Sequence, residues 1–344
     1  MKRLVRIPGM KIWSMLLLVG SMFTACNVLT ENEEDCAVYV RFRYDMNMEF
    51  TNSFSQAVNS VTLYAFDKNG VLVFQKTEEG ELLKQSDYRM RLDEISRSED
   101  LADYDFITWA GEPDNESFSI PVLAVGKNTK EDLICQLNRA GDGVVDDDLE
   151  DLFHGQADSR SITRSVSGDE LVMPLVKNTN SIRIILQHVT GEPLDVNDFR
   201  FTVEDKNGKM DYKNILMEDE MLTYKAWHTG NGHVGMGSTQ AKAGGITQIN
   251  VAIAELSVAR LMADMEPVLT ITKIADDKEV LRIPLVDCAL LFKRQKYSDM
   301  DDQEFLDRED EYNFTFFLDE YDNWVNSSII INDWRVVFGD YELK

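Results

Sequence analysis

Apolar and polar residues alternate with a period of two along much of this chain. In "AVYVRFRY" (37–44), Val38, Val40, Phe42 and Tyr44 share one face and Arg41 and Arg43 the other, which is the pattern of a half-buried strand. "VTLYAFDKNGVLVF" (61–74) is two β-rich runs about Asp67-Lys68-Asn69-Gly70. The Asn-Gly pair supplies the positive φ angles that a tight hairpin needs. The tetrapeptide returns at Asp205-Lys206-Asn207-Gly208 within "FTVEDKNGKMDY" (201–212), a recurrence compatible with two similar all-β domains. Further strands are expected near 180–188, 199–205, 221–227, 246–254, 267–274 and 279–286. A last hairpin covers 311–338, where Tyr312, Phe314 and Phe316 alternate, Asp319 to Asn323 turns the chain, and a branched apolar run follows. Helical periods are few. "KEDLICQLNRA" (130–140), with Leu133 and Leu137 four apart, predicts one helix, and "DDDLEDLFHG" (146–155) a shorter one. Many short strands and only seven prolines predict an all-β fold of two β-sandwich domains with few short helices.

The stretch "HGQADSRSITRSVSGDE" (154–170) is polar, Ser-rich and without an apolar period. Such a stretch reads as a domain linker, so one domain is expected over 36–160 and a second over 161–344.

The N-terminus breaks the pattern. Lys2, Arg3, Arg6 and Lys11 make a basic head, Ile12 to Phe23 is mostly apolar, and the small Ala25 ends the run. This is the layout of a secretory signal over residues 1–25, and the run is short for a membrane span, which needs about 20 residues. Phe23-Thr24-Ala25-Cys26 resembles the bacterial lipobox, although Phe23 stands where Leu is usual. That likeness implies cleavage between Ala25 and Cys26, a diacylglycerol on the Cys26 thiol and an acylated new amine. Residues 26–35, polar and acidic, then read as a lipidated tether. One acyl chain binds a bilayer marginally, at about 0.8 kcal/mol per buried methylene, whereas three hold essentially permanently.

Charge and cysteine usage narrow the chemistry. The 344 residues carry a formal charge of −26, and loss of the signal removes four cations and no acid. Without a Lys/Arg run, such a chain is not a nucleic-acid binder. Beyond Cys26 there remain Cys36, Cys135 and Cys288, an odd number without CxxC spacing, so neither a disulfide framework nor a zinc site is indicated. Cys135 and Cys288 lie in apolar runs and read as small core residues. "GNGHVGMG" (230–237) holds Gly230-x-Gly232-x-x-Gly235 without a following helix, so it reads as a Gly-rich loop carrying His233, near His228, and not as a dinucleotide site. His154 and His188 are remote from it. Asp142, Asp146, Asp147 and Asp148 lack EF-hand spacing, and 298–311 reads as a solvated acidic segment. No GxSxG, P-loop or HExxH occurs. No catalytic residue, cofactor, metal or small-molecule substrate is therefore expected.

The C-terminal end carries recognisable residues. "LDREDEYNFTFFLDEYDNWVNSSIIINDWRVV" (306–337) resembles the closing hairpin of the FimB/Mfa-type fimbrial anchor lipoproteins, and Ile331-Asn332-Asp333-Trp334 is its most specific part. "VNSVTLYAFDKNGVLV" (58–73) resembles that family's early hairpin; "LFHG" (152–155) and "NTNSIRIIL" (178–186) fit its domain junction and the first strand of its second domain. The resemblance implies transthyretin-like topology in each sandwich and an outer-membrane lipoprotein at the base of a fimbrium, joined to stalk subunits by β-strand exchange and affecting their assembly and length. In stalk subunits of that system a protease removes an N-terminal strand after an Arg. An anchor must keep its N-terminus, so no cut is expected at Arg41 or Arg43. Ser327 to Phe338 is the segment expected either to close the core, through Trp334, or to touch a neighbour. Two other readings remain open: a tip or stalk subunit of the same system, and a glycan-binding surface lipoprotein using Trp109, Trp227, Trp324 or Trp334 as platforms.

Overall fold

The computed structural model describes residues 38–92, 103–157, 162–165, 168–235, 248–325, 328–332 and 334–337. The expected signal peptide, its cleavage site at Ala25 and Cys26, the tether and Cys36 lie outside the described residues. The first part of the chain supplies β1 (Val38–Arg43), α1 (Phe54–Ala57), β2 (Ser60–Asp67), β3 (Leu72–Glu79), β4 (Met90–Leu92), β5 (Tyr104–Gly111), β6 (Phe118–Ser119), β7 (Cys135–Leu137), β8 (Val144–Val145), β9 (Leu152–Ala157), β10 (Ile162–Ser165) and β11 (Gly168–Lys177). The second part supplies β12 (Thr179–His188), β13 (Phe199–Asp205), β14 (Lys209–Met210), β15 (Leu222–Lys225), β16 (His228–Gly235), β17 (Gln248–Ala259), β18 (Val268–Lys273), β19 (Lys278–Pro284), α2 (Leu285–Lys296), α3 (Asp302–Arg308), β20 (Glu311–Leu318), β21 (Ser328–Ile331) and β22 (Trp334–Val337). The fold is mostly β, as the period-two pattern predicts.

In the first sheet the strands run β3-β2-β5-β9-β11-β1-β4, with β10 also on β11. Besides β10, β11 pairs with two strands along its length. Asp169 to Pro174 pair in parallel with β1, and Leu175 to Lys177 pair antiparallel with β9. The change falls after Pro174, whose missing N–H cannot extend a ladder. The alternating apolar positions then meet in one cluster: Val61, Leu63, Phe106 and Phe153 pack with Val38, Val40, Phe42, Met90 and Leu171. Each fully buried side chain of this size contributes about 1.5–3 kcal/mol.

The chain leaves this sheet at Asn178 and begins the second with β12. The expected junction lay at 160/161; by strand pairing, β10 and β11 still belong to the first sheet. A six-stranded sheet, β16-β17-β12-β20-β21-β22, is followed by a five-stranded one, β19-β18-β13-β15-β8. Ile182, Ile184, Leu186, Phe314 and Phe316 of the former share a cluster with Phe201, Val203, Leu269 and Ile271 of the latter. β12 and β20 pair in parallel through eight residues.

Several expectations are corrected. Residues 130–140 are not helical. Thr129 and Asp132 form a capping box for a short 3-10 turn over Lys130–Asp132, and the chain then enters β7, where Cys135 and Leu137 face the core two apart. Pairing with β6 and β14 outweighs the Leu133/Leu137 spacing. Residues 146–155 are not helical either: 146–151 are without regular structure and β9 begins at Leu152. Gly230 to Gly235 of "GNGHVGMG" form no loop: β16 pairs residue by residue with β17 as an edge strand, and Met236 and Gly237 lie outside the described residues. The two DKNG segments differ. Gly70 has φ 76° and closes the β2–β3 turn, with Asp67 accepting from the Asn69 and Val71 amides. Asn207 is instead buried, donating to the Ala259 and Arg260 carbonyls and accepting from the Tyr224 hydroxyl. Two helices went unforeseen. In α2, Leu285, Val286 and Ala289 to Phe292 are all buried, so an apolar stripe is not distinct. α3 lies in the acidic segment and is capped by Asp301, which accepts from the Gln303 and Glu304 amides.

"LFHG" has a packing reason. Leu152, Phe153 and His154 are buried. The His154 ring meets Trp109 edge to face at 4.7 Å, and its Nε2–H donates to the Tyr212 carbonyl at 3.0 Å. Burial pushes its pKa down to about 4. A Cβ on Gly155 would lie 2.7 Å from both the Pro174 carbonyl oxygen and Leu175 Cδ2. Gly155→Ala is therefore expected to lower the unfolding free energy by about 1–3 kcal/mol through overpacking, read from the shift in urea midpoint.

Candidate functional site

Three features of the molecule carry its distinctive contacts: the first strand, the joint between its halves, and the closing strands. β1 is an interior strand, parallel to β11 on one side and antiparallel to β4 on the other. Val38, Val40 and Phe42 are buried. Arg41 is half-exposed and donates two parallel bonds to the Glu170 carboxylate, Nε to Oε1 at 2.8 Å and Nη2 to Oε2 at 3.0 Å. Arg43 is exposed and pairs with Asp45 at 2.6 Å. Removal of β1 would strip the central partner of β11 and expose an apolar groove.

The end of β1 is tied to the second half. Arg308 Nη1 donates to the carbonyls of Asp45 (2.9 Å) and Asn47 (3.4 Å), and its guanidinium lies over the Phe50 ring at 4.6 Å. Lys177 stands between Asp151 (2.9 Å) and Asp310 (2.8 Å). Asn178 and Asn214 exchange side-chain amide bonds at 2.7 and 3.0 Å. Buried Arg260 reaches both Asp307 oxygens and the Asn214 carbonyl. Next to this joint, burial pushes the Glu309 carboxyl up to about 7, with the charges of Asp310 and Glu311 adding to the effect.

At the C-terminal end β20, β21 and β22 form an antiparallel run, and Ile331 pairs with Trp334 across the "INDW" turn. Asn332 has φ 45°. Its carbonyl side-chain oxygen accepts from the Asn313 amide at 2.7 Å, and its amino group donates to the Glu311 carbonyl at 3.0 Å. The motif residue thus fastens the turn to β20. Ile329 and Ile331 are buried, while the Trp334 side chain lies outside the described residues.

The other aromatic candidates separate clearly. Trp109 is in the core, and Trp324 packs edge to face on Phe316. Trp227 is 40% exposed. It borders a cleft of about 240 Å³ on the outer face of the six-stranded sheet, with Arg183, Glu255, Glu311 and Asn313. Cys135 and Cys288 are buried thiols, and burial pushes the Cys288 pKa up to about 12. Asp148 accepts from the Ser257 hydroxyl at 2.5 Å. Among the described residues no three His, Cys, Asp or Glu side chains converge as a metal site.

The family model described as fimbrillin-A associated anchor proteins Mfa1 and Mfa2 matches residues 32–339. The chain belongs to this family. Among solved structures, a candidate adhesin from Bacteroides thetaiotaomicron is 33% identical, with a TM-score of 0.76 over 88% of this chain and 98% of its own. A second protein from that organism, described as a candidate polysaccharide-binding protein, is 29% identical with a TM-score of 0.72 over the same shares. The fimbrial anchor protein Mfa2 from Porphyromonas gingivalis shares the fold at 16% identity, with a TM-score of 0.61 over 88% of this chain and 98% of its own. None of the curated proteins matches the chain. Membership of the Mfa2 family supports a structural, fimbria-associated role at the cell surface and association with fimbrial subunits. No helix among the described residues is long and apolar enough to cross a membrane.

The half-buried Glu309 gives this joint a pH dependence. An acid whose folded-state pKa is raised favours the folded chain when protonated. Its contribution is greatest below about pH 4.5 and is lost as pH rises through about 7. Glu309→Gln is expected to flatten that slope and to raise stability above pH 7 by about 1–3 kcal/mol, measured as urea midpoints across a pH series.

Proposed function

We propose that this protein is a non-enzymatic anchor that fixes the base of a fimbrium to the outer membrane through acyl chains on Cys26, and that it affects the assembly and length of the polymer. The observation that carries the reading is the interior position of β1 within a chain of the Mfa2 family. A strand paired on both sides and buried along one face resists release, so the residues before Val38 stay joined to the body. A lipid on Cys26 then becomes a mechanical connection to the membrane. A stalk subunit would need the reverse, a first strand that leaves after cleavage. Stalk subunits would join by β-strand exchange, in which an extended segment completes an edge ladder and buries alternate side chains. β22 ends the six-stranded sheet among the described residues and offers such an edge.

A second reading, glycan binding, is favoured by the exposed Trp227 beside its polar cleft, and a relative is described as a candidate polysaccharide-binding protein. An aromatic face bordered by carboxylate, guanidinium and amide groups suits a sugar ring. It is expected to give glycan-array signals that vanish in Trp227→Ala while the thermal midpoint stays constant; equal signals from both proteins would remove Trp227 from that role.

The anchor reading is tested at Cys26. Cys26→Ala is expected to leave the protein and its fimbriae in the culture medium instead of the membrane fraction. Mass analysis of the mature chain is expected to place its first residue at Cys26 with added acyl mass. A mature chain beginning after Arg41 or Arg43 would reassign the protein to the stalk or tip.

A further inference from the structure

β12 and β20 run side by side away from the joint and end together at His188 and Leu318. Three turns meet at that far end, and one carboxylate ties them. Asp322, held at φ 58°, takes His188 Nε2 on one oxygen at 2.9 Å and Lys273 Nζ on the other. Each of the three residues so joined has an exposed apolar neighbour in sequence: Val189 beside His188, Ile274 beside Lys273 and Tyr321 beside Asp322. Their exposures are 56%, 50% and 71%. Scattered apolar residues are ordinary on any surface, but these three each adjoin in sequence a member of one tie.

The backbone beneath them is fixed as well. The Val189 amide donates to the Leu318 carbonyl, the Ile274 amide to the Asp198 carbonyl, and the Tyr321 amide to the Asp319 carboxylate, all within 3.0 Å. A patch held by three turns loses little entropy on binding, which favours association. Around it the exposed charge is mostly negative, with Glu192, Asp276 and Glu320 on the three turns. The neighbouring cations are engaged: Lys273 with Asp322, and Lys278 with the Asn323 side chain at 2.6 Å.

We infer that this end of the second half is the docking surface for the fimbrial subunit next to the anchor, an inference that rests on the anchor reading above. The occupant is a protein surface with an apolar centre and a basic rim, because an apolar core with a complementary charged rim is what gives an interface both affinity and correct partner choice. The position agrees with the traffic of strands. β1 begins at the end of the first half away from the joint, where Val38 pairs with Asp169 near the start of β11. The start of β1 and the patch therefore lie at opposite ends of the path that the strands take through the joint. β22 also points toward the patch, since its register runs from Trp334 opposite Ile331 to Val337 opposite Ser328.

The test uses the full lipidated chain in phospholipid vesicles, mixed with fimbriae sheared from the same cells and read by co-flotation. Val189→Ser, Ile274→Ser and Tyr321→Ser together are expected to lower bound fimbriae about tenfold or more, equivalent to about 1.4 kcal/mol, with the thermal midpoint unchanged. In a second variant, Glu192→Lys, Asp276→Lys and Glu320→Lys are expected to lower it too, and added salt to weaken the unaltered protein. If either folded variant floats fimbriae as well as the unaltered chain does, the docking surface is overturned while the anchor reading stands. If the unaltered chain floats none, both are overturned.

Discussion

Asn178 is a polar side chain with no exposed surface, standing between two strands that belong to different sheets. A buried amide costs free energy unless its groups are bonded, and here the bonds go across the molecule. Its backbone N–H reaches the Leu152 carbonyl at 2.7 Å, and its side chain exchanges bonds with Asn214. With Lys177 held between two carboxylates on the preceding residue, the passage from one sandwich to the other is fixed on both sides. The rest of the architecture follows from that fixed passage. β7 pairs with β14 and β8 with β15, so strands from the first part of the chain complete sheets belonging to the second. The two halves are thus joined by shared ladders as well as by side chains, and tension applied at one end is carried through hydrogen bonds loaded together.

Much of this was legible in the sequence where one face is wet and the other dry. β1, β12, β13 and β20 show the period of two because one face packs in a core and the other meets solvent or polar neighbours. Where both sides are buried the period disappears. α2 is the clearest case: the expected strand ended at residue 286, and no element was predicted through the rest of the helix. The opposite failure occurred at β16, whose glycines erased the apolar signal although β17 supplies a complete ladder for it. Leu133 and Leu137 produced a helical spacing by coincidence, since β7 buries Cys135 and Leu137 instead.

The candidate site was legible unevenly. The lipidation motif is a local string and can be read without a fold, as can the closing "INDW" segment. The importance of Asn332 within it depends on Asn313 and Glu311, which are near only after β20 is placed. Arg308 and Arg260 gave no signal at all in sequence, because their partners at Asp45, Asn47 and Asn214 are remote along the chain. Trp227 was one tryptophan among five, and only burial separates it from those that fill cores.

The parallel pairing of β1 with β11 has a consequence for order in time. The two strands are separated by more than half of the first part of the chain, and closing so long a loop is slow compared with forming a hairpin such as β2–β3. A chain that emerges N-terminus first presents β1 long before Gly168 to Pro174 exist to receive it. The first strand made is then among the last to settle. In the interval its apolar face is open to solvent, and the ladder that will cover it does not yet exist.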